Sequence, residues 1–378
     1  MDASRRKRRV YLLFGSGGGG HKASAEAFNT VLSQAHPDWE VGFFNASSIA
    51  GMLFGDMIYN KILENNLTKL IPLVYLVTSS LQPLVEPGLR ERFINHWKTV
   101  PEPDVVVSFV PFLNAVICES IPSAVHLTIL TDFAHSKAHP WLQSHFQNVL
   151  VGTDQAREQA AELGFAQDRI IRLSGMLVHP RFYSLHTPVE LDEFRAMYGL
   201  ERKAMTFMIM FGSHPPTEFV ETLVKKLSER TTETANCICM CGKNTDLRER
   251  LLIKHRAGEL QRTAVIGFTD KIPLFMQMSN VVVGKPGPGV VSEALVSSDP
   301  LILLGAKGEV MQQELDVLRW VEENRAGIVV TSAEEIAAVT ASQIKQMTES
   351  VRNLTPNRAV FEAVMAMDSI LGAGDQGR

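Results

Sequence analysis

A glycine-rich segment that ends in a histidine lies near the start of the chain, between a predicted strand and a predicted helix. It reads Gly15-Ser-Gly-Gly-Gly-Gly20-His21-Lys22. The apolar run before it is typical of a buried strand, and the alanine-rich run after it is typical of a helix. Backbone N–H groups in such a turn can approach an anion, and the positive end of the helix dipole favours negative charge there. Three kinds of chemistry fit this segment.

Two of the three are nucleotide sites. The spacing Gly15-x-Gly17-x-x-Gly20 formally matches the dinucleotide-binding fingerprint. That fingerprint also requires an acidic residue at the end of the second strand, where this chain has Asn45. The separation of Gly15 and Gly20 also matches a P-loop, but His21 occupies the position of the required lysine. Lys22 likewise occupies the position of the required hydroxyl, so an NAD site lacks one essential residue and a P-loop lacks two.

The third is acid–base catalysis by His21. A histidine in the first turn of such a helix is held by the turn and faces the edge of the sheet where ligands bind. The positive helix end disfavours protonation of the imidazole, which can then accept a proton as a general base. We favour this interpretation over a histidine that only caps or packs.

A second strand, glycine loop and helix follow one another at 281–295. The backbone amides of Gly287–Val290 are placed to surround a diphosphate at the start of that helix. Glu293, one turn further on, can accept two hydrogen bonds from the vicinal hydroxyls of a ribose. Phe268, just after another predicted strand, can stack on a base. A tight turn with a solvated glutamate, and a phenylalanine that only packs, are the structural alternatives.

Composition excludes several classes of protein. The chain has 378 residues, of which 45% are hydrophobic and 21% charged, which is typical of a soluble globular protein. Its net charge of -4 argues against a general nucleic-acid-binding protein. No run of apolar residues is long enough to span a membrane, and the polar, basic first ten residues do not resemble a signal peptide. We interpret the basic run at 5–9 as a solvated flank of the first strand, with a nuclear-type signal or lipid contact as alternatives.

Cysteine usage gives no sign of a metal site. Cys237, Cys239 and Cys241 alternate along one predicted strand, and we expect them to point to alternating faces. Their spacing lacks the Cys-x-x-Cys pair of a structural zinc site, and no second cluster follows. We interpret them as small apolar residues of a protein in a reducing compartment.

The order of predicted elements indicates two α/β halves. Strand-like runs occur at 10–14, 39–44, 104–109, 125–131 and 148–152, and again at 205–211, 236–241, 263–266, 280–283, 300–304 and 327–330. Helical patterns separate them, which is the rhythm of parallel, doubly wound sheets. We place the boundary between the halves near 180–200 and a last helix at 358–371.

Together these segments resemble glycosyltransferase family 28, specifically its branch of monogalactosyldiacylglycerol synthases and bacterial diacylglycerol glucosyltransferases. The resemblance covers nearly the whole chain. It rests on the opening loop through Ala27, on 59–75, on Thr131-Asp132-Phe133 with His139-Pro140-Trp141, on Gly267-Phe268, and on the runs Gly284–Gly289 and Ser292–Leu295.

The resemblance implies a GT-B fold, an α/β architecture of two Rossmann-like domains that face each other across a cleft. It implies an acceptor and membrane-side domain at 1–180, a UDP-sugar-binding domain at 190–350, and a C-terminal helix at 356–371 that packs back on the first domain. It also implies an inverting transfer of galactose or glucose from a UDP-sugar to the hydroxyl of 1,2-diacylglycerol, giving a β-glycoside. Transfer of N-acetylglucosamine to a polyprenyl lipid, and a non-catalytic UDP-binding protein, are the alternatives.

Roles for individual residues follow from the same resemblance. His21 is the candidate base, Asp132 is the second candidate catalytic residue, and Asp132 and His139 line the acceptor side. The donor side comprises Gly19, Gly20, Gly212, Gly267, Phe268, Lys285, Gly287, Pro288, Gly289, Val290, Glu293, Gln312 and Gln313. The chain has no Asp-x-Asp triplet, so we expect no metal and no cofactor apart from the donor. Helix N-termini and Lys285 would offset the charge of the leaving diphosphate.

Two regions modify this expectation. The apolar segment 49–85 is too short in any one run to span a bilayer. We interpret it as an interfacial patch of a peripheral membrane protein, with an ordinary packed pair of helices as the alternative. The protein would act at a cytoplasmic membrane face, or at the plastid envelope if its source is a photosynthetic eukaryote; a homodimer is left open. In the loop 211–218, prolines and a histidine replace glycines of the family pattern, which removes backbone donors and flexibility. Gln313 and Asp316 also depart from that pattern.

Overall fold

The computed structural model describes residues 7–15, 19–51, 86–134, 139–230, 233–305, 310 and 312–376, with the side chains of 312, 313 and 374–376 outside that description. The chain divides into two compact units. The first comprises Met1–Pro180, Met311–Gln313 and Asn357–Arg378, and the second comprises Arg181–Val310 and Glu314–Pro356.

The first unit is built on a parallel sheet of six strands. These are β1 (Arg9–Phe14), β2 (Glu40–Asn45), β3 (Val105–Phe109), β4 (Val125–Ile129), β5 (Asn148–Val151) and β6 (Ile170–Arg172). Their order across the sheet is β2-β1-β3-β4-β5-β6. The order reverses direction between β1 and β3, and the loops that follow these two strands flank the place where such sheets bind ligands.

The helices of the first unit are Gly20–Ala35, Ala46–Ala50, 86–97, Asn114–Ser120, Asp154–Glu162 and Ala359–Gln376. The helix Gly20–Ala35 buries a stripe that includes Phe28 and Leu32, and the helix Ala359–Gln376 lies beside it. His36 Nε2 lies 3.1 Å from Asp368 Oδ2, which ties the last helix to the end of the first.

The second unit contains another six-stranded parallel sheet. Its strands are β7 (Met205–Met210), β8 (Ala235–Gly242), β9 (Thr263–Gly267), β10 (Val281–Gly284), β11 (Leu301–Leu304) and β12 (Gly327–Val330). Their order is β12-β11-β10-β7-β8-β9, so the direction reverses between β7 and β10. This is the strand order of a dinucleotide-type Rossmann sheet.

The helices of the second unit are Pro188–Met197, Thr217–Ser228, Thr245–Arg256, Ile272–Met278, Pro288–Val296, Gln312–Glu323, Ala333–Ala338 and Ala341–Arg352. Two all-parallel sheets interleaved with helices confirm the predicted α/β class with two Rossmann-like halves. All eleven predicted strands are present, and β6 is an additional one.

The predicted orientation of the three cysteines is wrong. Residues two apart on a strand point to the same face. Cys237, Cys239 and Cys241 accordingly lie in one core cluster with Phe207 and Ile209, and the sulfurs of Cys239 and Cys241 are 4.0 Å apart. Burial raises the pKa of the Cys237 thiol to about 12. Within the described ranges, no group of three or more His, Cys, Asp or Glu side chains is arranged to hold a metal ion.

The basic flank differs from the prediction in its described part. The Arg8 guanidinium lies 5.1 Å over the Trp39 ring, and Arg9, the first residue of β1, pairs with Glu40 at 2.6 Å. Both arginines are partly buried instead of freely solvated. Among the described residues, no helix has the length and apolar character needed to cross a bilayer.

Candidate active site

His21 is the second residue of the helix Gly20–Ala35, directly after the loop that follows β1. Gly19 caps the helix with φ +75°, a left-handed conformation that favours glycine. The Nδ1 atom of His21 lies 3.0 Å from the Thr131 hydroxyl oxygen. A methyl group added at Gly15 would lie 3.7 Å from the imidazole ring. The turn and the hydroxyl therefore orient the histidine ring.

Trp141 connects this histidine to the predicted acid Asp132. Its indole is fully buried, its ring centroid lies 5.5 Å from that of His21, and its Nε1 donates to Asp132 Oδ2 at 2.7 Å. The Trp141 backbone N–H donates to His139 Nδ1 at 3.4 Å. His21, Asp132 and His139 are thus brought together, and Trp141 is what joins them. An imidazole held at Nδ1 next to an oriented carboxylate can accept and hold a proton.

Asn45 occupies the position where an NAD site has an acidic residue, and here it caps a helix. Its side chain accepts a hydrogen bond from the Ser48 N–H at 3.3 Å and so caps the helix Ala46–Ala50. Asn is among the preferred residues at this position. The end of β2 therefore carries a helix cap where a dinucleotide site would need a carboxylate.

In the second unit, the predicted donor residues lie at the carboxyl ends of neighbouring strands. Gly212 follows β7 with φ +86°, and a methyl group added to it would lie 3.8 Å from Lys285 Cε. Lys285 follows β10, so the two residues meet where the strand order reverses. A methyl group on Gly284 would collide with the Met210 carbonyl oxygen, which explains a glycine at the end of β10.

The helix Pro288–Val296 begins beside this lysine. Gly287 is its cap, Pro288 occupies the first turn, and Val291 N–H donates to the Gly287 carbonyl at 3.1 Å. By helix geometry, the amides of Gly289 and Val290 point out of the helix end without a carbonyl partner inside it. These two amides and the Lys285 side chain therefore belong to the same edge of the sheet, and their charges suit an anion there.

Glu293 lies one turn into the same helix and is partly buried. Burial raises the pKa of its carboxyl group to about 7, and the nearby positive charge of Arg181 opposes that rise. A carboxyl group that titrates near neutral pH in a ligand-binding edge is typical of a functional residue.

Phe268 follows β9, and its side chain is 74% exposed. The Lys243 ammonium lies 5.4 Å from its ring centroid, and a methyl group on Gly267 would lie 3.3 Å from Arg248 Nε. An exposed aromatic ring with a cation on one face leaves the other face for a planar base.

Sequence reasoning missed Lys243. It follows β8, which lies between β7 and β9, and its backbone N–H donates to the Ser213 carbonyl at 2.7 Å. The next residue, Asn244, donates to the Pro215 carbonyl at 2.9 Å. The loop 211–218 is therefore fixed by the turn after β8. Gly242, directly before the lysine at a strand end, was the available signal.

Some predicted residues lie outside the described part of the chain. Gln312 and Gln313 begin the helix Gln312–Glu323, but their side chains are not described. Most of the predicted membrane patch, 52–85, and the glycines at 16–18 lie outside it as well.

Comparison with known proteins finds a family domain that covers most of the second unit and the start of the last helix. Residues 206–369 match the profile of the glycosyltransferase family 28 C-terminal domain. This stretch is a family 28 glycosyltransferase domain. It confirms the predicted resemblance, and the protein is a glycosyltransferase, as the sequence motifs indicated.

Relatives of this chain include both predicted kinds of enzyme. The chain is 23% identical to the probable monogalactosyldiacylglycerol synthase 3 of Oryza sativa subsp. japonica, over 95% of this chain and 74% of that one. It is 25% identical to the processive diacylglycerol beta-glucosyltransferase of Bacillus subtilis (strain 168), over 62% of this chain and 59% of that one.

Solved structures similar to this protein confirm the GT-B fold class. Acinetobacter baumannii MurG matches with a TM-score of 0.65 at 11% identity, covering 96% of this chain and 99% of that one. Anabaena HepE in complex with UDP matches with a TM-score of 0.56 at 12% identity, covering 97% of this chain and 100% of that one.

Proposed function

We propose that this glycosyltransferase moves a hexose, galactose or glucose, from a UDP-sugar to the free hydroxyl of 1,2-diacylglycerol with inversion at the anomeric carbon. The observation that carries the proposal is the placement of the candidate residues in each sheet. His21 follows β1 and Lys285 follows β10, each beside the position where its own strand order reverses. The relatives named as diacylglycerol glycosyltransferases support the acceptor class.

In the proposed reaction, His21 is the general base. Because Nδ1 is held by Thr131, Nε2 takes the proton as the acceptor oxygen attacks the anomeric carbon. The bond between that carbon and the diphosphate oxygen breaks, and UDP leaves with the bonding electrons. Asp132, oriented by Trp141, stabilises the imidazolium electrostatically or positions the acceptor hydroxyl.

On the donor side, we propose that Glu293 accepts hydrogen bonds from the ribose hydroxyls and that Phe268 stacks on the uracil. The amides of Gly289 and Val290, with Lys285, stabilise the negative charge that develops on the diphosphate. These groups are the reason to expect turnover that is independent of a divalent metal. Activity that persists in EDTA would support this part, and strict dependence on added Mg²⁺ or Mn²⁺ would oppose it.

We further propose that the protein acts as a peripheral membrane protein through 49–85. The apolar composition of that segment, most of which lies outside the described residues, is the support. Sedimentation with vesicles that contain diacylglycerol, compared with a variant in which several of its leucines are serine, tests it.

A donor and acceptor panel tests the proposed function. Purified protein is incubated with diacylglycerol and UDP-galactose, UDP-glucose or UDP-N-acetylglucosamine, and the lipids are separated by thin-layer chromatography. A new glycolipid with one of the two hexoses supports the proposal. Transfer of N-acetylglucosamine to a polyprenyl lipid alone, or binding of UDP without transfer to any lipid, would overturn it in favour of the two alternatives.

A further inference from the structure

Phe112 has a backbone conformation that its neighbours in sequence do not explain. Its φ is +66°, in the left-handed region that bulky side chains rarely adopt. The other described non-glycine residues with positive φ are Arg262, Ser298 and Arg325. Each of these three lies on a connection that enters the amino end of a strand. Phe112 instead follows β3 and lies at the carboxyl end of the sheet, where ligands bind.

Hydrogen bonds hold Phe112 in this conformation. Its N–H donates to the Pro140 carbonyl at 2.6 Å. Two residues later, the buried Asn114 side chain donates to the Val110 carbonyl at 2.9 Å and to the Trp141 carbonyl at 3.0 Å. The loop after β3 is therefore fixed on both sides of Phe112. A strained residue persists only where its surroundings determine it in this way, and such residues cluster at functional sites.

The same bonds place the Phe112 loop beside the segment 140–141, which contacts the candidate base. Pro140 directly precedes Trp141, whose indole lies against His21 and donates to Asp132. On the other side, a methyl group at Gly15, after β1, would lie 3.5 Å from the Val110 side chain. The loop that carries Phe112 thus lies between the loops after β1 and β4, at the reversal of strand order. The Phe112 side chain is partly exposed.

We propose that Phe112 is an acceptor-binding residue, whose ring contacts the apolar part of the lipid next to the reacting hydroxyl. This inference rests on the proposed function. An apolar side chain on the loop next to Trp141 would give the site a surface for glycerol and the first acyl carbons, which the polar groups do not supply. The strained backbone is then the cost of presenting the ring at that edge.

Three variants test this role. Phe112→Gly and Phe112→Asn both accept a left-handed backbone but lack the ring, whereas Phe112→Leu keeps an apolar side chain. We expect the KM for dioctanoylglycerol in mixed micelles to rise about tenfold or more in the first two variants and about threefold or less in Phe112→Leu, since one missing apolar group weakens a ligand by roughly 10- to 200-fold. The KM for the UDP-sugar should change less than about twofold in all three.

Ser298→Gly is the matched control, because it removes a left-handed side chain far along the chain from the site. It should leave both KM values unchanged. We expect Phe112→Gly and Ser298→Gly to raise or preserve Tm, because each relieves a positive φ. A purely structural role for Phe112 does not preserve Tm while it raises the acceptor KM alone.

The outcomes distinguish a failure of the Phe112 role from a failure of the proposed function. If the wild-type protein glycosylates diacylglycerol but Phe112→Gly and Phe112→Asn keep the acceptor KM within twofold, or lose donor and acceptor binding equally, the role of Phe112 is wrong. If these two variants fail to fold, Phe112→Leu decides instead: equal rises in the KM of donor and acceptor, together with a fall in its Tm, would assign Phe112 a purely structural role. If the wild-type protein transfers no sugar to any lipid, the proposed function itself fails.

Discussion

The hydroxyl oxygen of Thr131 lies 3.0 Å from Nδ1 of His21, and this contact joins the loop after β4 to the helix that follows β1. It fixes which imidazole nitrogen faces the threonine. A general base whose second nitrogen is held in this way keeps one ring orientation through the reaction.

Removing either partner should therefore affect the chemical step. His21→Ala should lower kcat by about 10²- to 10⁴-fold, the usual contribution of a general base. Thr131→Val, which keeps the shape but loses the hydroxyl, should lower kcat by roughly tenfold, the equivalent of one hydrogen bond. Steady-state kinetics measures the loss in kcat, and calorimetry with UDP checks that donor binding is retained. Thr222→Val, whose hydroxyl bonds within its own helix, is the control. Normal turnover by His21→Ala would exclude its role as base.

Glu293 predicts a pH dependence of nucleoside binding. Because burial raises the pKa of this carboxyl group to about 7, its protonated form predominates below neutral pH. A ribose that needs two acceptor oxygens should then bind more weakly as the pH falls from 8 to 6. Uridine is the probe, since it lacks phosphates that titrate in this range. Calorimetry should show this trend for the wild type and a weak, flat profile for Glu293→Gln; parallel profiles would contradict the assignment.

The same pKa makes a prediction about stability. The folded state keeps the Glu293 proton between the usual value of 4.5 and about 7, whereas the unfolded state releases it. The stabilisation of the folded state by protonated Glu293 is therefore fully present below pH 4.5 and is lost as the pH rises to 7. Glu293→Gln should be more stable than the wild type at pH 8, by up to about 3 kcal/mol before solvent screening is considered. The difference should vanish near pH 4.5, which thermal denaturation at both pH values measures.

Lys243 should contribute to binding of the phosphates more than of the nucleoside. Lys243→Met should weaken UDP binding by roughly tenfold at low salt, the value of one partly exposed charge contact. Uridine affinity should change less, because the cation supports only one face of the Phe268 ring. Lys225→Met, on the exposed side of a helix, is the matched control. Equal losses for UDP and uridine would assign Lys243 to the base alone.

The two glycines at the ends of the β10 loop should behave differently. An alanine at Gly284 would collide with the Met210 carbonyl oxygen, so Gly284→Ala should lower the free energy of unfolding by about 1–3 kcal/mol. Among the described residues, no atom lies within 4 Å of a methyl group at Gly287, so Gly287→Ala should change stability by less than about 0.5 kcal/mol. It should still weaken UDP binding, because the methyl group stands at the anion-binding helix end. Chemical denaturation and calorimetry on the pair distinguish these effects.

Strands and loop positions were predictable from sequence because buried parallel strands are continuous apolar runs. β6 was missed because it has three residues, none fully buried, and ends in Arg172. The orientation of the cysteines was predicted incorrectly although strand geometry determines it. The motif residues His21, Asp132 and Glu293 all lie at carboxyl ends of sheets, where the pattern of strand, glycine and helix put them.

Contacts between distant segments were not predictable. The cation over Phe268 joins the turns after β8 and β9, and no local pattern encodes it. The bond from Trp141 to Asp132 closes the connection between β4 and β5 on itself, and no periodic pattern predicts that closure. The positive φ of Phe112 was equally hidden, because Phe112 is a residue type that gives no sign of a left-handed backbone and the bonds that impose it come from Pro140 and Trp141.

The helix Ala359–Gln376 belongs to the unit that contains His21, although the whole second unit precedes it along the chain. Glu362 accepts a hydrogen bond from the Ser174 N–H at 2.6 Å, and Arg358 N–H donates to the Ser174 hydroxyl at 2.6 Å. During synthesis, the first unit therefore stays incomplete until the second has emerged from the ribosome. Damage to this last helix should accordingly impair the candidate base, many residues earlier in the chain, before it affects the second unit next to it in sequence.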